Sequence, residues 1–158
     1  MRTVVVALFF LLGASMFAAP EYPRMGPDIF DPQGKGETLI DAAVTQARQD
    51  KKRVLVLFGT NWCPWCRQLH QVLGSEPRII GRLRQRFVLV YVDANTRNDK
   101  ARNRSVNERF GNPLRYGIPV FVVLDAEGNL LTTRETQSLA DATDKGVADK
   151  LLMFLAEW

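Results

Sequence analysis

Two cysteines stand two residues apart in the run Trp62-Cys63-Pro64-Trp65-Cys66, and the 158-residue chain contains no others. Thiols at this spacing can close a small disulfide ring or pass two electrons to a partner disulfide. A ring this small removes little entropy from the unfolded chain, so it is a weak structural staple. Redox exchange or metal binding remain as uses for the pair. The apolar run Val54–Phe58 precedes the motif, and the segment after it carries Leu69, Val72 and Leu73 at helical spacing. Pro64 suits a first helical turn, where its missing N–H has no partner to lose. The pattern predicts a strand that delivers Cys63 to a helix N-terminus, with Cys66 one turn further in. Backbone N–H groups and the helix dipole then favour thiolate over thiol at Cys63. The expectation is that Cys63 attacks a disulfide and that Cys66 resolves the mixed disulfide so formed.

Positioning this site takes an α/β layer. Leu39, Ile40, Ala43, Val44 and Ala47 stripe a helix over 38–51, with Thr38 and Asp41 as its start signal. Ile79, Ile80 and Leu83 mark a short helix opened by Glu76-Pro77. Val88–Val92 and Val120–Leu124 are further apolar runs that predict buried strands. Val106 and Phe110 suggest a short helix closed by Gly111, Asn112 and Pro113. The turn Asp125-Ala-Glu-Gly-Asn129 predicts a hairpin returning through Leu130–Arg134. Val147, Leu151, Phe154, Leu155 and Trp158 mark a final amphipathic helix. This alternation predicts a mixed central sheet flanked by helices on both faces.

Met1–Ala19 has Arg2, then the apolar run Val4–Leu12, then the small residues Gly13, Ala14, Ser15, Ala18 and Ala19. That is the layout of a secretory signal, and the run is short for a membrane span of about 20 residues. It predicts a periplasmic or otherwise secreted protein, a retained membrane anchor being the minor alternative. Residues 20–36 hold four prolines and three glycines, Pro20 to Gly36, and read as an extended lead-in pinned by Ile29 and Phe30. Residues 37–158 form the predicted domain.

The cysteine motif after an apolar strand, with Ile118-Pro119 before a later strand and hairpin, resembles the thioredoxin superfamily. The run Phe58-Gly-Thr-Asn-Trp-Cys-Pro-Trp-Cys-Arg67 is similar to secreted thioredoxin-like proteins and to the C-terminal domain of the bacterial thiol:disulfide interchange protein. The resemblance implies the thioredoxin fold, a cis peptide at Pro119 beside the cysteines, and pairing of the backbone at Ile118 with the substrate chain. It also implies protein-disulfide oxidoreductase activity on protein thiols and disulfides, in the reductive direction, with a membrane or soluble thiol carrier as electron donor. No small-molecule cofactor is called for, and the expected unit is a monomer. Trp62, Pro64, Trp65, Ile118 and Pro119 are the expected substrate-binding residues, with Trp62 packed on the domain and Trp65 a contact for the partner. The family's buried acid and lysine behind the cysteines fall here at Leu57 and Leu89, both apolar, so proton transfer at Cys66 has less help than in a thioredoxin.

The residues leave a second reading open. A non-catalytic binding module, or a copper(I) delivery protein, would use the same cysteines with His70 one turn after Cys66. A four-ligand zinc site lacks the Cys and His residues it needs, and no resident metal is expected. The net charge of +4 excludes little. The basic segment Arg97, Lys100, Arg102, Arg104, Arg109 and Arg115 reads as a solvated face without the interleaved aromatics of a nucleic-acid surface.

Overall fold

Strand β1 (Arg53–Gly59) is apolar on both faces because it lies inside the sheet, with a neighbour on each side. In the computed structural model, which describes residues 25–97 and 101–158, four strands run in the order β2-β1-β3-β4. β2 (Phe87–Asp93) pairs parallel to β1, while β3 (Val120–Leu124) pairs antiparallel to β1 and to β4 (Leu130–Glu135). This is the mixed sheet expected from the alternation of elements.

Alternation along the strands sends side chains into two apolar layers. Val54, Val56 and Phe58 meet Ile40, Ala43, Val44 and Ala47 of helix α1 (Gly36–Asp50) on one face. Val106 of the short helix α4 (Arg104–Arg109) joins them. Leu55 and Leu57 face α2 (Pro64–Ser75), α3 (Pro77–Arg86) and α5 (Asp144–Glu157) on the other. Burying each such side chain contributes about 1.5–3 kcal/mol before chain entropy is counted. Both cysteines lie in this second layer.

Three local expectations are adjusted. α1 begins at Gly36, two residues before the Thr38 start signal, because the Gly36 N–H donates to Oδ1 of Asn103 at 2.8 Å. A contact from 67 residues away thus does the capping that a neighbouring side chain usually does. β2 is covered on both faces, though less deeply than a central strand. It is an edge strand, and Val88, Leu89 and Tyr91 are only half-buried. The basic segment is not simply a solvated face. Arg109 reaches Glu37 and Asp41, Arg102 lies 3.6 Å from the buried Asp93, and Arg97 covers a tryptophan described below. Lys100 and the signal-like stretch Met1–Ala19 fall outside the described residues.

The hairpin between β3 and β4 forms as its residues predict. Asp125 accepts hydrogen bonds from the backbone of Glu127 and Asn129, and Gly128 takes a φ of +89°, which a Cβ disfavours. No described helix is long and apolar enough to cross a membrane.

The candidate thiol–disulfide site

β1 ends at Gly59, and within four residues the chain turns into α2 with Cys63 as its N-cap and Pro64 in the first turn. The cap is a sulfur. Sγ of Cys63 accepts a hydrogen bond from the Cys66 N–H at 3.2 Å, the place where serine or aspartate oxygens usually sit. Both thiols are free, with Cys66 fully buried and Cys63 7% exposed.

The two sulfurs hold opposite places in one hydrogen bond. The Cys66 thiol donates to Cys63, which is the main reason that Cys63 is lowered to about 7 from its ordinary 9.0. Burial opposes this, and the backbone N–H groups of Cys66 and Trp65 add to it. Cys66 is pushed well up, first by that same hydrogen bond and then by burial. One group is poised as a thiolate near neutral pH, and its partner keeps its proton.

What backs the sulfurs comes from the lead-in. Residues 25–35 form neither helix nor strand, yet Phe30 is fully buried. Oδ1 of the buried Asn61 accepts from the N–H groups of Ile29 and Phe30 at 2.8 and 2.9 Å, and its amide donates to the Phe30 carbonyl at 2.8 Å. Arg67, the residue after Cys66, donates to the carbonyls of Asn61 and Pro27 at 2.9 and 3.0 Å. Ile29 and Phe30 do pin the lead-in, and Asn61 is the residue they are pinned to. The Phe30 ring lies over Gly59 and meets Tyr91 edge-on at 5.6 Å. A Cβ on Gly59 would strike that ring and come within 3.0 Å of Cys66 Sγ. Glycine is what lets the strand, the ring and the sulfur approach so closely.

The peptide bond between Ile118 and Pro119 is cis, and Ile118, Trp62 and Trp65 all pack against the apolar cluster that holds the cysteines. Pro64 is exposed on the first turn of α2. Trp62 is tied to the domain: its indole N–H donates to Asn95 at 3.1 Å, and the Arg97 guanidinium lies 3.8 Å from its ring centre. Trp65, the expected contact for a partner, is also held from within the domain. It is half-buried, and its indole N–H donates to the hydroxyl of Thr136 at 3.0 Å.

Leu57 and Leu89 are both apolar neighbours of this layer, but they are not directly across from one another. Leu57 pairs with Tyr91, and Leu89 with Leu55. The buried acid of the region is Asp93, opposite Gly59 and raised to about 6 by burial, which the nearby Arg102 partly offsets. His70 turns toward Tyr91, with Nδ1 3.0 Å from the phenol oxygen, and burial and the Arg67 charge lower it. Among the described residues no three His, Cys, Asp or Glu side chains gather in a metal-holding group.

Asn61, Asn95, Arg97, Thr136 and Phe30 were not legible as parts of the site, apart from the pinning role of Phe30. Each acts across 31 or more positions of sequence, where spacing carries no signal.

The match to the thioredoxin-like family model spans residues 37–126, more than half of the chain and including both cysteines and Pro119. The chain belongs to the thioredoxin-like family. It has the thioredoxin fold, with an intact cysteine pair at the start of a helix and a cis peptide at Ile118-Pro119. The chain is similar to the disulphide isomerase of Xylella fastidiosa Temecula1, with a TM-score of 0.68, 27% identity, and coverage of 82% of this chain and 95% of that one. A thioredoxin from Thermus thermophilus shares the fold, with a TM-score of 0.53, 23% identity, and coverage of 74% and 81%. Among curated relatives, nucleoredoxin of Danio rerio is 28% identical over 110 residues, 58% of this chain and 26% of its own length. The chain thus spans about a quarter of the length of the curated relatives it matches.

Proposed function

We propose that this protein reduces disulfides of protein substrates outside the cytosol, with Cys63 as nucleophile and Cys66 as resolving thiol. The observation that carries the reading is Cys63 Sγ at the start of α2, accepting the Cys66 N–H at 3.2 Å and lowered chiefly by the buried Cys66 thiol. The Cys63 thiolate attacks one sulfur of the substrate disulfide. A Cys63–substrate bond forms, the substrate S–S bond breaks, and the departing sulfur takes up a proton. Cys63 no longer carries charge in this mixed disulfide, so the interaction that most strongly held the Cys66 proton is gone. Cys66 then loses its proton and attacks Cys63, and the second substrate thiol leaves. Two electrons and two protons pass to the substrate, and the Cys63–Cys66 disulfide remains.

The reductive direction is supported by the moderate lowering of Cys63. A strongly oxidising pair owes its potential to a heavily stabilised thiolate, with a pKa of about 3.5, whereas about 7 is typical of reducing pairs. Trp62, Pro64, Trp65, Ile118 and Pro119 line the approach for the substrate chain. A separate thiol carrier has to return the pair to the reduced state. The signal-like Met1–Ala19 supports work outside the cytosol, and similarity to the disulphide isomerase of Xylella fastidiosa supports protein disulfides as substrate class.

Equilibration of the pair with glutathione tests direction. A potential near about −270 mV supports reduction, while one near about −120 mV would reverse the assignment. Trapping tests the residue roles: Cys66→Ser should accumulate mixed disulfides that Cys63→Ser does not form.

A further inference from the structure

Thr136 follows β4 directly and is 3% exposed. Its hydroxyl lies 2.6 Å from the carbonyl oxygen of Pro119 and 3.0 Å from the indole nitrogen of Trp65. The chemistry of the three groups permits a single arrangement of protons. An indole N–H can only donate, and a carbonyl can only accept. Trp65 therefore donates to Thr136, and Thr136 donates to Pro119. The hydroxyl spends its one proton and accepts one bond, so each link polarises the next.

This chain of bonds joins the two halves of the site. Trp65 sits between the cysteines on the first turn of α2, and Pro119 ends the cis peptide that begins at Ile118. The sheet itself pairs Val120 with Glu135, and that pairing stops one residue short of Thr136. Beyond it, the Thr136 hydroxyl forms a hydrogen-bonded link between the Ile118-Pro119 loop and the cysteine turn.

Resting on the proposed exchange reaction, we infer that Thr136 is a positioning residue for the polypeptide substrate. It acts through Trp65 and Pro119 by fixing the distance between the Cys63 thiolate and the backbone at Ile118. A protein disulfide has to present its sulfur to Cys63 while its chain lies along Ile118, so it depends on that distance. A small disulfide with no chain reaches the sulfur without using Ile118. Thr136 therefore governs selection of chain-borne disulfides over small ones.

The test compares insulin with hydroxyethyl disulfide as oxidants of the reduced full chain. Thr136→Val keeps the shape and removes both bonds. It should lower kcat/KM for insulin on the order of tenfold, mainly through KM, while the rate with hydroxyethyl disulfide falls no more than about twofold. Trp65→Phe, which keeps a ring and loses the N–H, should reproduce the shift in KM. Thr136→Ser, which restores the hydroxyl, should recover most of the insulin rate. An unchanged insulin KM in Thr136→Val, an equal loss with both oxidants, or failure of Thr136→Ser to recover the insulin rate would each overturn the inference. Wild-type chain that exchanges with neither oxidant would instead overturn the exchange reaction itself, and this inference with it.

Discussion

Helices α2 and α5 start alike and end up with different uses. Each has a side-chain cap that accepts from an N–H three residues on: Thr143 from Gly146 at 3.1 Å, and Cys63 from Cys66 at 3.2 Å. The α5 cap is a hydroxyl on the surface, and it satisfies one unpaired donor of the helix end. At α2 the cap is a sulfur buried in the apolar cluster against which Trp62, Trp65 and Ile118 pack, and a second thiol donates to it. The helix start supplies the same field in both places. What differs is an ionisable cap, a partner proton and a dry setting, and these turn a device of stability into a nucleophile.

Making the two caps alike should have the largest effect. Cys63→Ser converts the α2 cap into the α5 kind, and should keep the fold while reducing protein-disulfide exchange to background, measured by insulin reduction. The glycines behind the two caps offer a second contrast. Gly59→Ala pushes a Cβ into the buried Phe30 ring and the Cys66 sulfur. It should cost about 1–3 kcal/mol in denaturant unfolding and slow Cys63 alkylation. Gly146→Ala meets the side chain of Asp141, which lies at the surface and can swing aside. The same assay should register a change within about 1 kcal/mol there, since alanine also favours the helix.

A thiol can also be moved to the other cap. In a chain whose two cysteines are serine, Thr143→Cys places a lone thiol on the α5 start without a donating partner. Its alkylation midpoint should lie between about 7 and the ordinary 9.0, above that of Cys63. A midpoint as low as that of Cys63 would show that the helix start alone is sufficient. The smallest effect concerns the acid beside the site. Asp93 titrates at about 6 when folded and near 3.8 when unfolded. A carboxyl raised by folding stabilises fully below its unfolded value, and that contribution is lost as pH rises through the folded one. Wild-type stability should therefore fall relative to Asp93→Asn between about pH 4 and 6, and the difference should stay level above. A difference flat across that window would refute the assignment.

The parts of the site visible in the sequence are those made by neighbours along the chain. Cys63, Pro64 and Cys66 lie within one helical turn, and an apolar run long enough for a central strand precedes them. The hairpin at Asp125–Asn129 is equally local, and so was equally legible. Contacts closed by the fold were not. Asn103 replaces the α1 start signal from across the domain, Thr136 accepts from the Trp65 indole, and the exposed Arg97 lies over Trp62. The edge position of β2 was hidden for a related reason: its composition matches a central strand, and the order of strands in a sheet is a property of the whole chain.

The central claim is that Cys63 is a thiolate near neutral pH because Cys66 donates to it. Alkylation of the reduced protein against pH, followed at Cys63 by mass, tests this most directly. The account predicts a midpoint at about 7 in the wild type and a rise toward 9.0 in Cys66→Ala. A wild-type midpoint near 9.0, or one that Cys66→Ala leaves in place, would contradict it.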